Sequence, residues 1–111
     1  MHATQIPLDI AHHAADTADK GLMVYDLGAS QVKGDSGVAV SAALSSCSGA
    51  LFVVYLNLHK FREGQWAVGI RTRADSIKDR YQALQSQQFR RVSRIQAEGI
   101  DDPQTELQLG L

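Results

Sequence analysis

Strict alternation of apolar and polar positions marks two short stretches in the middle of the chain. In residues 51–59, and again in residues 65–71, every second side chain is apolar. A polar segment with the turn-forming pair Glu63-Gly64 separates the two stretches. Period two is the spacing of a half-buried strand, and a short polar connection with glycine is typical of a hairpin. The pattern therefore predicts a β-hairpin formed by strands 51–59 and 65–71.

Helical spacing flanks the predicted hairpin on both sides. Residues 7–20 carry Leu8 and four alanines at steps of three and four residues, and Gly21 follows as a stop. Residues 75–98 contain no glycine or proline, are rich in good helix formers and are followed by Gly99. We expect an N-terminal helix over 7–20 and a long C-terminal helix over 75–98.

The segment between the first helix and the hairpin is less regular. Residues 22–27 have strand-like composition, residues 28–37 hold three glycines and several turn formers, and residues 38–44 fit either a buried strand or a short helix. Together these elements predict an α+β domain over residues 1–100, followed by an acidic tail at 101–111. Its small, mostly antiparallel sheet contains the hairpin, and the long C-terminal helix packs on that sheet.

An uncharged stretch supplies a competing interpretation. No charged residue occurs in residues 37–58, and basic residues follow, as they do on the cytoplasmic side of a membrane span. A single-pass span near residues 38–58 is therefore the alternative. Because the alternation continues past a charged turn, which a spanning helix has no reason to show, we favour the hairpin. The N-terminus lacks the basic start and apolar core of a signal peptide, and we expect a cytoplasmic protein.

Charge is nearly balanced over the whole chain but unevenly placed along it. The formal net charge is −1, while residues 60–94 hold nine basic and three acidic residues. A surface built from the predicted hairpin and C-terminal helix would contact nucleic acid or an acidic protein. Internal pairing with the acidic N-terminal helix or tail is the competing interpretation. The candidate contact residues are Lys60, Arg62, Arg71, Arg73, Arg90, Arg91 and Arg94.

Homodimerisation is expected because 111 residues offer few partners for a long helix and a small sheet. The apolar stripe of the C-terminal helix and one tyrosine of the hairpin are the candidate interface. These residues are Tyr55, Ile77, Tyr81, Leu84, Phe89 and Val92.

Catalytic and metal-binding patterns are weak. Asp9, His12, His13 and Asp16 share one side of the N-terminal helix, but adjacent histidines diverge by about 100 degrees and suit a polar solvent face better than one metal ion. The single cysteine, Cys47, would need a neighbouring base to act as a nucleophile. We expect no cofactor and a small non-enzymatic binding or regulatory protein. The alternatives are a single-pass membrane component and a metal- or thiol-dependent small enzyme.

Overall fold

The computed structural model describes residues 4–61 and 64–101, with side chains in 4–61 and 64–98. These residues form three helices: α1 spans Gln5–Leu27, α2 spans Ser30–Lys60 and α3 spans Gln65–Asp101. The helices pack side by side into a narrow bundle of 62 × 19 × 18 Å. No strand occurs in the described part of the chain.

The predicted α+β fold is wrong, because the described chain is a helical bundle with no sheet. The predicted hairpin of 51–59 and 65–71 lies in the end of α2 and the start of α3. The predicted strand 22–27 is the end of α1, and the predicted loop 28–37 is mostly the start of α2. The C-terminal helix expected over 75–98 exists, but it begins at Gln65 and packs on two helices instead of a sheet.

The hairpin prediction failed because α2 is apolar on all sides. A helix with apolar residues around its whole circumference satisfies a period of two as well as a period of 3.6. Val54 and Leu58 are buried, while Phe52 and Leu56, which the alternation placed on the same face, are exposed. The buried positions follow helical steps of four and three: Val40, Leu44, Cys47, Leu51, Val54 and Leu58.

α1 lies against α2 through small side chains. Leu8, Ala11, Ala15 and Ala18 are fully buried, and three of these four residues are alanines. The predicted stop at Gly21 is wrong, because α1 continues through it to Leu27. Packing against α2 explains the glycine instead. A Cβ atom at Gly21 would lie 2.7 Å from Cγ2 of the buried Val40. Small residues thus set a close approach of the two helices.

The connection between α2 and α3 depends on glycine. Gly64 has a backbone φ of 105°, a left-handed value that residues with a Cβ rarely adopt. A Cβ there would also lie 2.9 Å from the Trp66 ring. The sequence predicted a hairpin turn at Glu63-Gly64, but Gly64 precedes a helix and not a strand, and Glu63 lies outside the described residues. α3 then packs on the bundle through Ala67, Ala74, Ile77 and Leu84.

α2 is long and apolar enough to cross a membrane by length and composition alone. Of its most apolar 18-residue window, 33% is buried inside the protein. Core helices of soluble proteins pass the same test, so this finding is weak evidence for a span.

Replacing Gly21 by leucine should lower the free energy of unfolding by about 1–3 kcal/mol, because the new side chain collides with Val40 in a packed core. Gly69→Leu is the matched control, since Gly69 is a helical glycine where a Cβ meets no atom within 4 Å. It should leave stability unchanged or raise it by up to about 1 kcal/mol. Urea unfolding followed by circular dichroism measures both. Equal effects of the two substitutions would contradict the close packing of α1 on α2.

Candidate functional site

A cleft of about 320 Å³ opens where the end of α1, the start of α2 and the second half of α3 meet. Its walls are mostly apolar, and a few polar groups stand at the rim, as in many small-molecule sites. The lining residues are Leu22, Tyr25, Lys33, Gly34, Gly37, Val38, Val40, Ser41, Gln88, Arg91, Val92 and Ile95. We call this the α1–α2 cleft.

Polar groups from all three helices meet at the rim of the α1–α2 cleft. The Lys33 ammonium lies 4.6 Å from the centre of the Tyr25 ring, within the range of a cation–π interaction. The amide of Gln88 on α3 donates a hydrogen bond of 2.5 Å to the Ser41 hydroxyl on α2. The cleft therefore offers a cation, an aromatic ring and an amide–hydroxyl pair beside apolar walls.

Two glycines keep one wall of the cleft open. Gly34 and Gly37 lie within α2, where each costs up to about 1 kcal/mol relative to alanine. A Cβ at either position would meet no atom within 4 Å, so packing within the protein does not require them. Both line the cleft, and the space that their missing side chains leave is part of it.

A polar depression of about 670 Å³ adjoins the cleft and shares Tyr25, Lys33, Arg91 and Ile95 with it. Arg90 and Arg94 contribute further positive charge. The remaining lining residues are Asp26, Gln87 and Glu98.

Arg91 joins α3 to α1 at this end of the bundle. Its Nη2 and Nε atoms donate hydrogen bonds of 2.6 and 2.9 Å to the two carboxylate oxygens of Asp26. Its Nη1 donates to the backbone carbonyl of Gln87 at 2.8 Å. The hydrogen bond from Arg91 lowers the pKa of Asp26. Because the guanidinium is held on three sides, it forms a fixed part of the rim.

The predicted basic residues do not form one surface. Arg90, Arg91 and Arg94 lie beside the cleft, whereas Lys60, Arg71 and Arg73 lie at the other end of the bundle. Arg73 and Arg90 are 17 residues apart on α3, a separation of about 25 Å. Arg62 lies outside the described residues.

Internal pairing with α1 accounts for several of the arginines, as the competing interpretation of the charges predicted. Arg73 lies 3.5 Å from Asp9, and Arg91 pairs with Asp26. Arg80 donates hydrogen bonds of 2.6 Å to Asp16 and 3.3 Å to Asp19. The four pairs join α1 to α3 along most of the length of α1. Neither Arg90 nor Arg94 forms an ion pair within 4 Å among the described residues, although Arg94 is close enough to Asp26 to help lower the pKa of that carboxyl group.

The candidate metal ligands do not converge. Asp16 pairs with Arg80 and lies 3.5 Å from His12 Nε2, while Asp9 lies beside Arg73. The His12 and His13 rings are 5.5 Å apart, edge to face. Within residues 4–61 and 64–98, no three histidine, cysteine or acidic side chains are placed to hold a metal ion.

Cys47 is buried in the core of the bundle, and burial raises the pKa of its thiol. A buried thiol with a raised pKa is a poor nucleophile. The structure therefore supplies no support for thiol catalysis at this residue.

The residues predicted as an interface occupy different environments. Ile77 and Leu84 are buried in the protomer, whereas Phe89 and Val92 are exposed and Tyr81 is partly buried. Tyr55, also partly buried, donates a hydrogen bond of 2.5 Å to Asp75. Burial and the neighbouring carboxylate raise the pKa of Tyr55.

The sequence does not predict most of the cleft, because the glycines and turn formers of residues 28–37 are typical of a loop, whereas Ser30 onwards is helical. Tyr25, Lys33, Ser41 and Gln88 carried no recognisable spacing and come together only when all three helices are packed. The available signal was the glycine pair Gly34 and Gly37 in a segment otherwise able to form a helix.

Comparison with protein families matches residues 1–76 to the family described as formiminotransferase-cyclodeaminase. The match covers α1, α2 and the start of α3, and it includes every cleft residue that α1 and α2 contribute. Gln88, Arg91, Val92 and Ile95 of α3 lie beyond it. Searches of curated proteins and of solved structures gave no match.

The ion pairs between α1 and α3 should make the protein less stable in acid. The hydrogen bond from Arg80 lowers the pKa of Asp16 from its ordinary value of 3.8. Its stabilising contribution is complete above that value and is lost as the pH falls through the lower pKa of the folded state. Arg80→Gln should reduce stability at neutral pH and flatten its decline between about pH 5 and about pH 2. Arg90→Gln, with no acidic partner among the described residues, should keep the decline of the unmodified protein. Urea midpoints across this pH range give both profiles, and identical profiles for the two variants would contradict a role for the pair.

Proposed function

Because the chain belongs to the formiminotransferase-cyclodeaminase family, we propose that the α1–α2 cleft binds a substrate that carries a formimino group. The observation that supports this proposal is the glycine-lined cleft itself. Its α1 and α2 walls fall within the residues that match the family, and its open volume is that of a small-molecule site. The chain is then part of an enzyme, in place of the non-enzymatic protein that the sequence alone favoured.

The family name describes the chemistry such a site must serve: transfer of a formimino group, and closure of a ring with loss of ammonia. Ring closure requires a nitrogen of the substrate to approach the formimino carbon, so the substrate must be held in a bent conformation. The departing nitrogen must also gain protons before it leaves as ammonia. A site for this reaction needs a wall that shapes the substrate and a donor near the reacting carbon.

The α1–α2 cleft contains groups suited to both tasks. Apolar walls with the Tyr25 ring at the edge would hold a flat or cyclic part of the substrate. Lys33 lines the cleft with an ammonium group, which can donate a proton or hold a negative group. The Gln88–Ser41 pair can exchange its internal hydrogen bond for bonds to a polar substrate group. In this proposal Lys33 is the donor, and Gln88 and Ser41 orient the substrate.

The adjoining polar depression would receive an anionic part of the same substrate. Arg90 and Arg94 line it without an ion pair within 4 Å among the described residues, whereas Arg91 is already held by Asp26. A substrate whose anionic part is bound there could extend into the cleft past Lys33, which lines both the depression and the cleft. The arginines predicted to contact nucleic acid or an acidic protein thus acquire a small-molecule role in this proposal.

The Gly37→Phe substitution tests the cleft. The new side chain meets no atom of the protein at its Cβ and should fill the space where a ligand binds. N-phenylformamidine, an aromatic ring carrying a formimino group, is the probe. We expect Gly37→Phe to weaken its binding at least tenfold, measured by isothermal titration calorimetry.

Gly69→Phe is the matched control, because Gly69 is also helical and open but does not line the cleft. It should bind the probe as the unmodified protein does. The role of Lys33 is tested separately with N-(2-aminophenyl)formamidine, whose ring amine can attack the formimino carbon and close a benzimidazole ring with release of ammonia. Lys33→Met should reduce the ammonia released, while Lys78→Met leaves it unchanged. Binding that survives Gly37→Phe would contradict the proposed site.

A further inference from the structure

The two halves of α3 are held to the bundle in different ways. In its described residues, the buried side chains all lie in the first half: Ala67, Ala74, Ile77 and Leu84. None of residues 85–98 is buried, although this part of α3 forms the third wall of the α1–α2 cleft. We call residues 85–98 the cleft segment of α3.

The apolar side chains of the cleft segment do not anchor it to the core. Val92 and Ile95 line the cleft but are 52% and 56% exposed, and Phe89 is 58% exposed. Because these side chains remain largely in water, burial stabilises the cleft segment much less than it stabilises the first half of α3. A helical segment of this length without tertiary packing is only marginally stable in water, so the cleft segment depends on its polar contacts.

Hydrogen bonds to α1 and α2 hold the cleft segment in place. Arg91 binds both carboxylate oxygens of Asp26 on α1, and only 19% of the Arg91 side chain is exposed. Gln88 donates a hydrogen bond to Ser41 on α2. The half-buried residues of the segment are the ones that take part in these contacts or accept from Arg91: Gln87, Gln88 and Arg91.

We propose that the cleft segment is a flap that opens and closes the α1–α2 cleft, and that the Arg91–Asp26 pair is its latch. With the pair formed, the flap stands as the third wall of the cleft. When the pair breaks, the hydrogen bond to Ser41 alone remains, and the flap leaves the bundle by local unfolding. The first half of α3 stays in place because its apolar side chains are buried.

A ligand at the proposed site would act on the flap from both sides. Lys33 belongs to α2, whereas Arg90 and Arg94 belong to the flap, and all three line the polar depression beside the cleft. An anion held between them joins the flap to α2, so it binds the closed form more tightly than the open form and shifts the protein towards closure. This step rests on the proposed function, whereas the latch itself does not.

Amide hydrogen exchange of the protein without ligand, measured residue by residue by NMR, tests the latch. In the unmodified protein, residues 86–98 should exchange faster than residues 67–84, because the flap opens while the rest of the bundle is folded. Arg91→Gln and Asp26→Asn each remove the latch, and Asp26→Asn leaves the bond from Arg91 to the Gln87 carbonyl in place. Each variant should speed exchange at residues 86–98 by about fivefold or more, since the pair is bidentate and largely shielded from water.

Arg80→Gln is the matched control, because Arg80 also joins α3 to α1 but lies in the half of α3 that is packed in the core. The flap opens while the pairs of Arg80 with Asp16 and Asp19 are intact. Arg80→Gln should therefore leave exchange at residues 86–98 unchanged. Equal acceleration of residues 86–98 by Arg80→Gln and Arg91→Gln would mean that α3 opens as one unit and would overturn the proposal. Exchange at residues 86–98 as slow as at residues 67–84 in the unmodified protein would overturn it too.

Closure by a ligand is measured in the same experiment with N-(4-carboxyphenyl)formamidine, which carries a carboxylate besides the ring and the formimino group. At saturation it should slow exchange at residues 86–98 by about fivefold or more, while N-phenylformamidine, which lacks the anion, should slow it less. Slowing by neither compound, with the latch variants behaving as expected, would leave the flap supported and contradict the proposed function. Unchanged exchange in both latch variants would overturn the flap whatever the compounds do.

Discussion

The close approach of α1 to α2 is the contact on which the other features of the molecule depend. It is made by side chains with almost no volume: Ala11, Ala15 and Ala18 are fully buried, and Gly21 lies against the stiff, buried Val40. Small residues contribute little apolar area, so the two helices gain stability from dispersion contacts along a long, close seam. The same approach brings the end of α1 beside the start of α2 and so forms two of the three walls of the α1–α2 cleft.

α3 completes the cleft through contacts of a different kind. Its apolar contacts with the bundle lie mostly in its first half, at Ala67, Ala74, Ile77 and Leu84. Beyond Leu84, the bidentate pair of Arg91 with Asp26 and the Gln88–Ser41 hydrogen bond join it to the other helices. Such exposed polar contacts contribute little to stability. They do fix where the third wall of the cleft lies.

The sequence predicted two of the three helices in part, α1 and α3. The prediction failed at α2, because a helix that is apolar on every side also satisfies the apolar–polar alternation of a strand. The length of the uncharged run, which is greater than that of a typical strand, is the better criterion for a helix. α2 has two apolar surfaces. One packs against α1 and α3, and the other has no partner among the described residues. The cleft escaped prediction for a related reason. Glycines such as Gly34 and Gly37 are typical of loops. Here they lie in a helix and leave space in the wall of the cleft, which can be recognised only when the positions of the other cleft residues are known.

Gly34 and Gly37 of α2 leave the opening that we propose as a small-molecule site at one end of the bundle. Titration of isotope-labelled protein with N-phenylformamidine, followed by amide NMR shifts, tests it most directly. Binding at this site should give saturable shifts at Gly34, Gly37 and the Gln88 side chain, with none at residues 51–59. Shifts confined to the other end of the bundle, or no saturable shift at all, would contradict it.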